Sequence, residues 1–260
     1  MITSSIPELR VAQEPSVLRI ELHRPERKNA LSLAMYEELA KLITAVNTEP
    51  QVRVLVLRGS HDCFTSGNDL LDFMNEPDIH PEHPVVRFMM ALSQCTKPVV
   101  AIVEGYAVGI GTTLLLHCDL VFAAQDARFQ LPFVNLGLCP EYASSYLLPR
   151  LLGHQQAAEL LLLGEVFTGE QARQMGLVNA ALPASELMAY AQIKIQRLAQ
   201  QPPAALRRAK ALMKESARLG VETSLAAEFI GFAQGLASAE CKESVTAFLQ
   251  KRAPDFSGFE

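Results

Sequence analysis

No CxxC pair occurs in this 260-residue sequence, and its five cysteines (Cys63, Cys95, Cys118, Cys139, Cys241) are odd in number and irregular in spacing. A disulfide framework and a cysteine-based zinc site are both disfavoured, and reduced thiols are expected. No metal is expected. No excess of positive charge is present either; the net charge is −5, which argues against nucleic acid as a partner. The opening MITSSIPELR has no apolar core of a signal peptide, and the closing SGFE carries no peroxisomal or prenylation signal. The expected location is cytoplasmic. Internal repeats and low-complexity tracts are absent. The longest apolar stretch, residues 98–118, is broken by Glu104, Gly105, Gly109 and Gly111. A buried parallel strand running into a helix has the same composition, so no membrane partner is expected.

What is present is the balance of an ordinary globular enzyme, with 49% hydrophobic and 20% charged residues. Residues 17–23 alternate, with Leu18, Ile20 and Leu22 against Arg19, Glu21 and His23, and predict a strand with one wet face. A polar turn at 24–30 carries Arg24, Arg27 and Lys28. Ser32 is placed to cap a helix running to Thr48, with Met35, Leu39, Leu42, Ile43 and Val46 on one face. Strands are predicted at 52–57, 98–103 and 119–124, with a helix at 85–95. Residues 70–84 have weak periodicity and suit a lid. Residues 129–146 are irregular. Helices follow at 144–152, 155–163 and 168–175, and from residue 185 the period is helical throughout, at 185–200, 204–217, 221–237 and 239–250. Gly220 is read as one of the breaks. Alternating strands and helices predict an α/β core, residues 1–195, followed by a helical region, 196–260.

Two loops stand out. Residues 103–119 (VEGYAVGIGTTLLLHCD) are a strand, a glycine turn and a helix start, an arrangement that aims backbone N–H groups at an anion. The spacing fits neither a dinucleotide fingerprint, whose third glycine would fall at Leu114, nor a P-loop. Glycines kept for packing remain the alternative. Residues 64–70 (FTSGNDL) form a second turn after a buried strand. Two such turns at neighbouring strand ends can each offer one N–H to a shared oxygen, the construction of an oxyanion hole. Other groupings carry less. In His117-Cys118-Asp119, Cys118 reads as core and Asp119 as a turn-ordering residue. Ser144 and Ser145 lack a G-x-S-x-G elbow. Arg207, Arg208, Lys210, Lys251 and Arg252 read as solvated helix faces.

Residues 64–70 resemble the F-x-A/S-G-A/N-D-L/I loop of the crotonase (enoyl-CoA hydratase/isomerase) superfamily. Residues 97–119, 168–178 (TGEQARQMGLV) and 248–256 (FLQKRAPDF) are similar to successive later elements of that family, so the likeness covers nearly the whole chain. It implies a crotonase-like (ClpP/crotonase) fold of ββα units with a C-terminal helical trimerisation region. The implied partner is an acyl-CoA, which is itself the substrate, with no separate cofactor; the implied assembly is a homotrimer or a dimer of trimers. The amides of Asn68 and Ile110, after Gly67 and Gly109, would form the oxyanion hole. Ser66, Gly67, Asn68, Asp69 and Leu70 would lie along CoA, with Lys28 near its adenine or phosphates.

The resemblance also says what is missing. Hydratases of this family carry two glutamates at positions held here by Thr113 and Phe133, and neither can relay a proton from water. Residues 132–141 (PFVNLGLCPE), followed by Ser144-Ser145-Tyr146, are instead similar to the monofunctional peroxisomal-type Δ3,Δ2-enoyl-CoA isomerases. Carried over, Glu141 would be the catalytic base, with Thr113 and Phe133 as pocket wall. The wall formed by Phe133, Val134 and Leu138 is expected to raise its pKa. The implied reaction moves the double bond of a 3-enoyl-CoA to the 2-trans position in fatty-acid β-oxidation. The alternatives are a hydratase-like reaction on another acyl-CoA, or a non-catalytic acyl-CoA-binding scaffold.

Overall fold

A computed structural model describes residues 2–69, 72 and 80–259 of the chain. Leu70, and with it most of the expected lid at 70–84, lies outside the described residues.

The core is a six-stranded sheet. Its strands are β1 (Leu9–Glu14), β2 (Val17–Leu22), β3 (Val54–Gly59), β4 (Val99–Val103), β6 (Leu120–Ala124) and β9 (Ala180–Leu182), in that spatial order. β1 and β2 form an antiparallel hairpin, and every later pairing in this sheet is parallel. Every residue of β4 is buried, which accounts for its unbroken apolar sequence, since a central parallel strand is covered on both faces. The hairpin strand β1 escapes the periodicity reading because LRVAQE puts only its first residue in the core.

A small second sheet, β5 (Tyr106–Val108), β7 (Arg128–Gln130) and β8 (Phe167–Thr168), stands at the exit of the first. Its strands are two or three residues long, too short for any period to show. β5 pairs in parallel with β7, and Gly109 N–H donates to Gln130 O at 2.9 Å, so the second sheet clamps the base of the glycine turn.

The first helix, α1 (Leu33–Thr48), starts where Ser32 caps it, its side chain accepting from Met35 N–H at 3.3 Å. The helix Gly169–Met175 opens with a reciprocal capping box between Thr168 and Gln171 and stops at Gly176 in the left-handed region, as the sequence indicates.

Two expectations are corrected in the C-terminal region. Pro203–Ala237 is one continuous helix of 35 residues, not two separated at Gly220. Gly220 serves close packing: a Cβ there would sit 2.1 Å from the Tyr146 ring, which is itself covered by the Arg150 guanidinium. Lys210 is not a solvated cation. It is buried, and its ammonium bonds Asp119 Oδ2 at 2.6 Å and the Lys97 carbonyl at 2.7 Å. Asp119 also accepts the N–H of Val99, so it orders the start of β4 and anchors the long helix to the sheet. Replacing Lys210 by Met should lower stability by about 3 kcal/mol, because Asp119 would lose the cation that compensates its partial burial. Chemical denaturation midpoints of the two proteins check this.

Candidate functional site

The site is assembled from four segments: the 24–31 turn, the 60–69 loop, the 105–113 turn and the 133–145 segment. Asn29 builds the floor of the first two. It is fully buried at positive φ, donates through Nδ2 to the carbonyls of Ser60 and Cys63, and accepts from Arg24 N–H through Oδ1. Around it, Ser66 N–H bonds Lys28 O, Leu31 N–H bonds Gly67 O, and Asp69 N–H bonds Leu31 O. Arg24 adds an ion pair with Asp69 at 2.7 Å. The cluster expected to meet CoA (Lys28, Ser66, Gly67, Asn68, Asp69) is therefore one cross-bonded sheet of loop. Lys28 closes its outer edge, its ammonium 5.1 Å from the centre of the Tyr106 ring.

The glycine turn packs directly on this layer. A Cβ at Gly67 would lie 2.9 Å from Val108 O, and one at Gly111 2.6 Å from Thr65 Cγ2, so neither turn tolerates a side chain at the contact. Gly67 has φ +99° and Gly109 +55°, backbone that an L side chain resists. Among the described residues, neither Asn68 N–H nor Ile110 N–H donates to any protein acceptor. Two unpaired donors on touching turns are what an oxyanion hole requires.

Glu141 is buried within the same assembly, and among the described residues its Oε1 has no hydrogen-bond partner. Its pKa is raised to about 8, first by burial and then by the nearby charge of Glu228, while the Asn68 side chain beside it favours the charged form. Asn68 is in turn held by Tyr36 of α1, whose hydroxyl donates to Asn68 Oδ1. Asn68 thus serves twice, with its backbone amide at the turn and its side chain beside the carboxyl.

Thr113 and Phe133 are buried as expected, and Phe133 Cε1 stands 4.0 Å from where a Cβ on Gly109 would be. Phe133 and Leu138 turn inward. Val134 does not: it is 43% exposed, in a short turn of 3-10 helix that leaves its side chain outside, and so is no part of the wall. His117 is not a base. It is buried and neutral, its pKa lowered to about 3 by burial; its ring stacks on Tyr142 at 3.8 Å, and its Nε2 donates to Tyr142 O. Cys118 is held inert, burial pushing its thiol up to about 12. A cavity of about 1220 Å³ lies elsewhere, beneath the first half of the long helix beside Lys97, Arg207 and Lys214. It contains none of Glu141, Asn68 or Ile110, so the site is identified by converging groups and not by volume.

Three participants escape the sequence reading. Tyr36 looks like one more apolar position of α1. Arg24 is one cation of three in its turn. Glu228 had a visible signal: it interrupts the buried stripe Leu225, Glu228, Phe232 of the long helix, where a charge needs a partner.

Comparison with known proteins gives the family. Residues 12–259 match the family model described as enoyl-CoA hydratase/isomerase. The 2,3-dehydroadipyl-CoA hydratase of Escherichia coli is 36% identical over 96% of this chain and 99% of its own length. Human enoyl-CoA delta isomerase 2 is 32% identical over 93% of this chain and 63% of its own length. Among solved structures, Pseudomonas aeruginosa OdaA is 46% identical, with TM-score 0.91 over 94% of this chain and 99% of that one.

Proposed function

Since the chain belongs to the enoyl-CoA hydratase/isomerase family and has the crotonase fold, we propose that it isomerises 3-enoyl-CoA to 2-trans-enoyl-CoA, with Glu141 as its single acid–base group. The carrying observation is a buried carboxyl beside Asn68 with one oxygen unpaired among the described residues, in a site whose two touching glycine turns leave the Asn68 and Ile110 amides unpaired among the same residues, while Thr113 and Phe133 stand where the family resemblance puts the glutamates of a hydratase.

The chemistry balances with one base. The Glu141 carboxylate takes a proton from C2. The electron pair moves through the thioester carbonyl to give a dienolate, its oxygen held by the N–H groups of Asn68 and Ile110. The neutral Glu141 carboxyl returns the proton at C4, and the double bond comes to rest between C2 and C3. Each amide contributes about 3 kcal/mol to holding that oxygen, on the scale of single-donor deletions elsewhere. A base with pKa near 8 is also better matched to an acidic thioester C2–H than an ordinary carboxylate.

Proton return by the same group has an isotopic signature. Deuterium placed at C2 of a 3-enoyl-CoA is expected to reach C4 of the product in part during a brief single turnover. A C4 hydrogen drawn from solvent alone, with no transfer at the shortest times, would point to two separate groups and against this mechanism.

Assembly as a homotrimer or a dimer of trimers is part of the same proposal. Leu212, Met213, Leu219, Ile230 and Leu249 of the C-terminal helices are 63–73% exposed in the single chain, an apolar display that a subunit contact would cover. Light scattering gives the stoichiometry. A cytoplasmic setting in acyl-CoA degradation completes the reading.

A further inference from the structure

The backbone just after Glu141 is strained. Tyr142 and Ala143 have φ +58° and +56°, two consecutive non-glycine residues in the left-handed region. Such conformations persist only where surrounding contacts over-determine them. Tyr142 is fixed from both ends: its hydroxyl donates to Met89 O at 2.8 Å, and its carbonyl accepts from His117 Nε2 at 2.9 Å. Ala143 is the N-cap of the helix Ser144–Leu152 and has no side chain with which to cap it. The missing acceptor arrives from 85 residues away. Glu228 Oε2 accepts Ala143 N–H at 2.5 Å, and Oε1 accepts Ser145 N–H at 3.0 Å together with the Ser145 hydroxyl.

All three bonds are donated to Glu228, the pattern of an ionised carboxylate. The long helix can come this close because Gly235 lies against Gly137 and Leu138, where a Cβ would be 3.0 Å from Gly137 O. The 137–145 segment is therefore laid along the long helix and clipped to it by one buried acid.

We propose that Glu228 is a positioning residue for catalysis: by closing the Tyr142–Ala143 turn from the C-terminal helix, it aims the Glu141 carboxyl at the paired amides of Asn68 and Ile110. The inference rests on Glu141 being the base. It adds a link that no sequence motif contains, because the clip joins the catalytic segment to the C-terminal helical region. Its charge has a second effect. Among the described residues, the titratable groups that face Glu141 are Tyr36 from the first helix, Cys139 and Tyr142 from its own segment, and Glu228 from the long helix, and none of these is a cation. Of them, Glu228 is the one that lifts the Glu141 pKa by its charge. Removing that charge favours ionised Glu141 and moves the acid limb of activity to lower pH.

The test compares Glu228→Gln with the wild-type enzyme, using 3-enoyl-CoA across pH. Gln keeps the shape but places an NH2 against one of the N–H donors it should accept from. The expected result is a kcat lowered roughly 10- to 100-fold, the scale of a misplaced catalytic group, with KM within about twofold because no CoA-facing residue is touched. The acid limb of kcat/KM is expected at lower pH than in wild type. A limb that does not move, with kcat lost only in proportion to folded protein, assigns Glu228 a merely structural part and overturns the proposal. Should Glu228→Gln fail to fold, Ser145→Ala carries the test. It deletes one bond to Glu228 and keeps the charge, so kcat should fall severalfold with the limb in place; a kcat equal to wild type overturns the proposal. Glu141→Gln is measured alongside. Loss of turnover there, with an unmoved limb and an undiminished kcat per folded protein in Glu228→Gln, refutes the positioning role alone, whereas full turnover in Glu141→Gln removes the base on which it depends.

Discussion

Glu141→Gln should lower kcat for 3-enoyl-CoA isomerisation by about 10³- to 10⁴-fold, the upper range for loss of a general acid–base group. The side chain keeps its volume, so binding through the 24–31 and 60–69 layer is retained and KM changes little. The same substitution should stabilise the protein, and the pH dependence identifies the cause. In the folded chain Glu141 titrates at about 8, against 4.5 for an unperturbed glutamate. Its folded-state pKa is raised, so its favourable contribution is complete below pH 4.5. Between pH 4.5 and 8 the unfolded chain releases this proton while the folded chain holds it, and stability falls. Above pH 8 the loss is constant. A shift of this size corresponds to roughly 5 kcal/mol at most. The melting-temperature advantage of Glu141→Gln over wild type should therefore open through that window and then level off. A constant advantage at all pH values would mean that Glu141 is not the buried, displaced acid described here. In wild-type enzyme the acid limb of kcat/KM should likewise lie well above the ordinary carboxylate range.

The second large effect is expected at Gly109. Its φ of +55° and ψ of −118° lie where an L residue is strained by about 1–3 kcal/mol. Among the described residues nothing lies closer than 4.0 Å to an added Cβ, so Gly109→Ala introduces strain without a clash there. Relief of that strain rotates the 109–110 peptide, whose N–H is the Ile110 donor. Loss of one such donor should cost about 10²- to 10³-fold in kcat, with a smaller change in KM, because the donor matters most when charge reaches the oxygen. Steady-state kinetics beside a melting curve separates this from unfolding. Gly67→Ala should be worse for folding, since its Cβ would also press on Val108 O at 2.9 Å.

The contrast between these residues and the rest shows what a sequence makes legible. Gly67, Gly109 and Glu141 announce themselves because each sits in a local pattern: a strand, a turn, a short run of defined residues. Local caps are as readable, as with Ser32 and with Thr168. The second sheet is not, because its two- and three-residue strands exist only through pairing. Pro203–Ala237 misleads because a glycine within a helix is ordinarily a break, and only the Tyr146 ring shows why Gly220 is needed. Lys210 misleads because a solvated lysine and one buried against Asp119 look alike in one dimension. Tyr36, Asn68, Glu141 and Glu228 are brought together from four well-separated parts of the chain. No window of sequence contains that constellation, although a glutamate on an apolar helical stripe is a sign that something waits for it.

The central claim is that one carboxyl serves a double-bond shift and that hydration has lost its second group. One preparation given 3-enoyl-CoA, and separately 2-trans-enoyl-CoA, decides it through the absorbance of the conjugated enoyl thioester. The expected result is a rise with the first substrate and a steady signal with the second. A fall with the second, as fast as the rise with the first, would mean that water is being added without glutamates at positions 113 and 133, and would contradict the account.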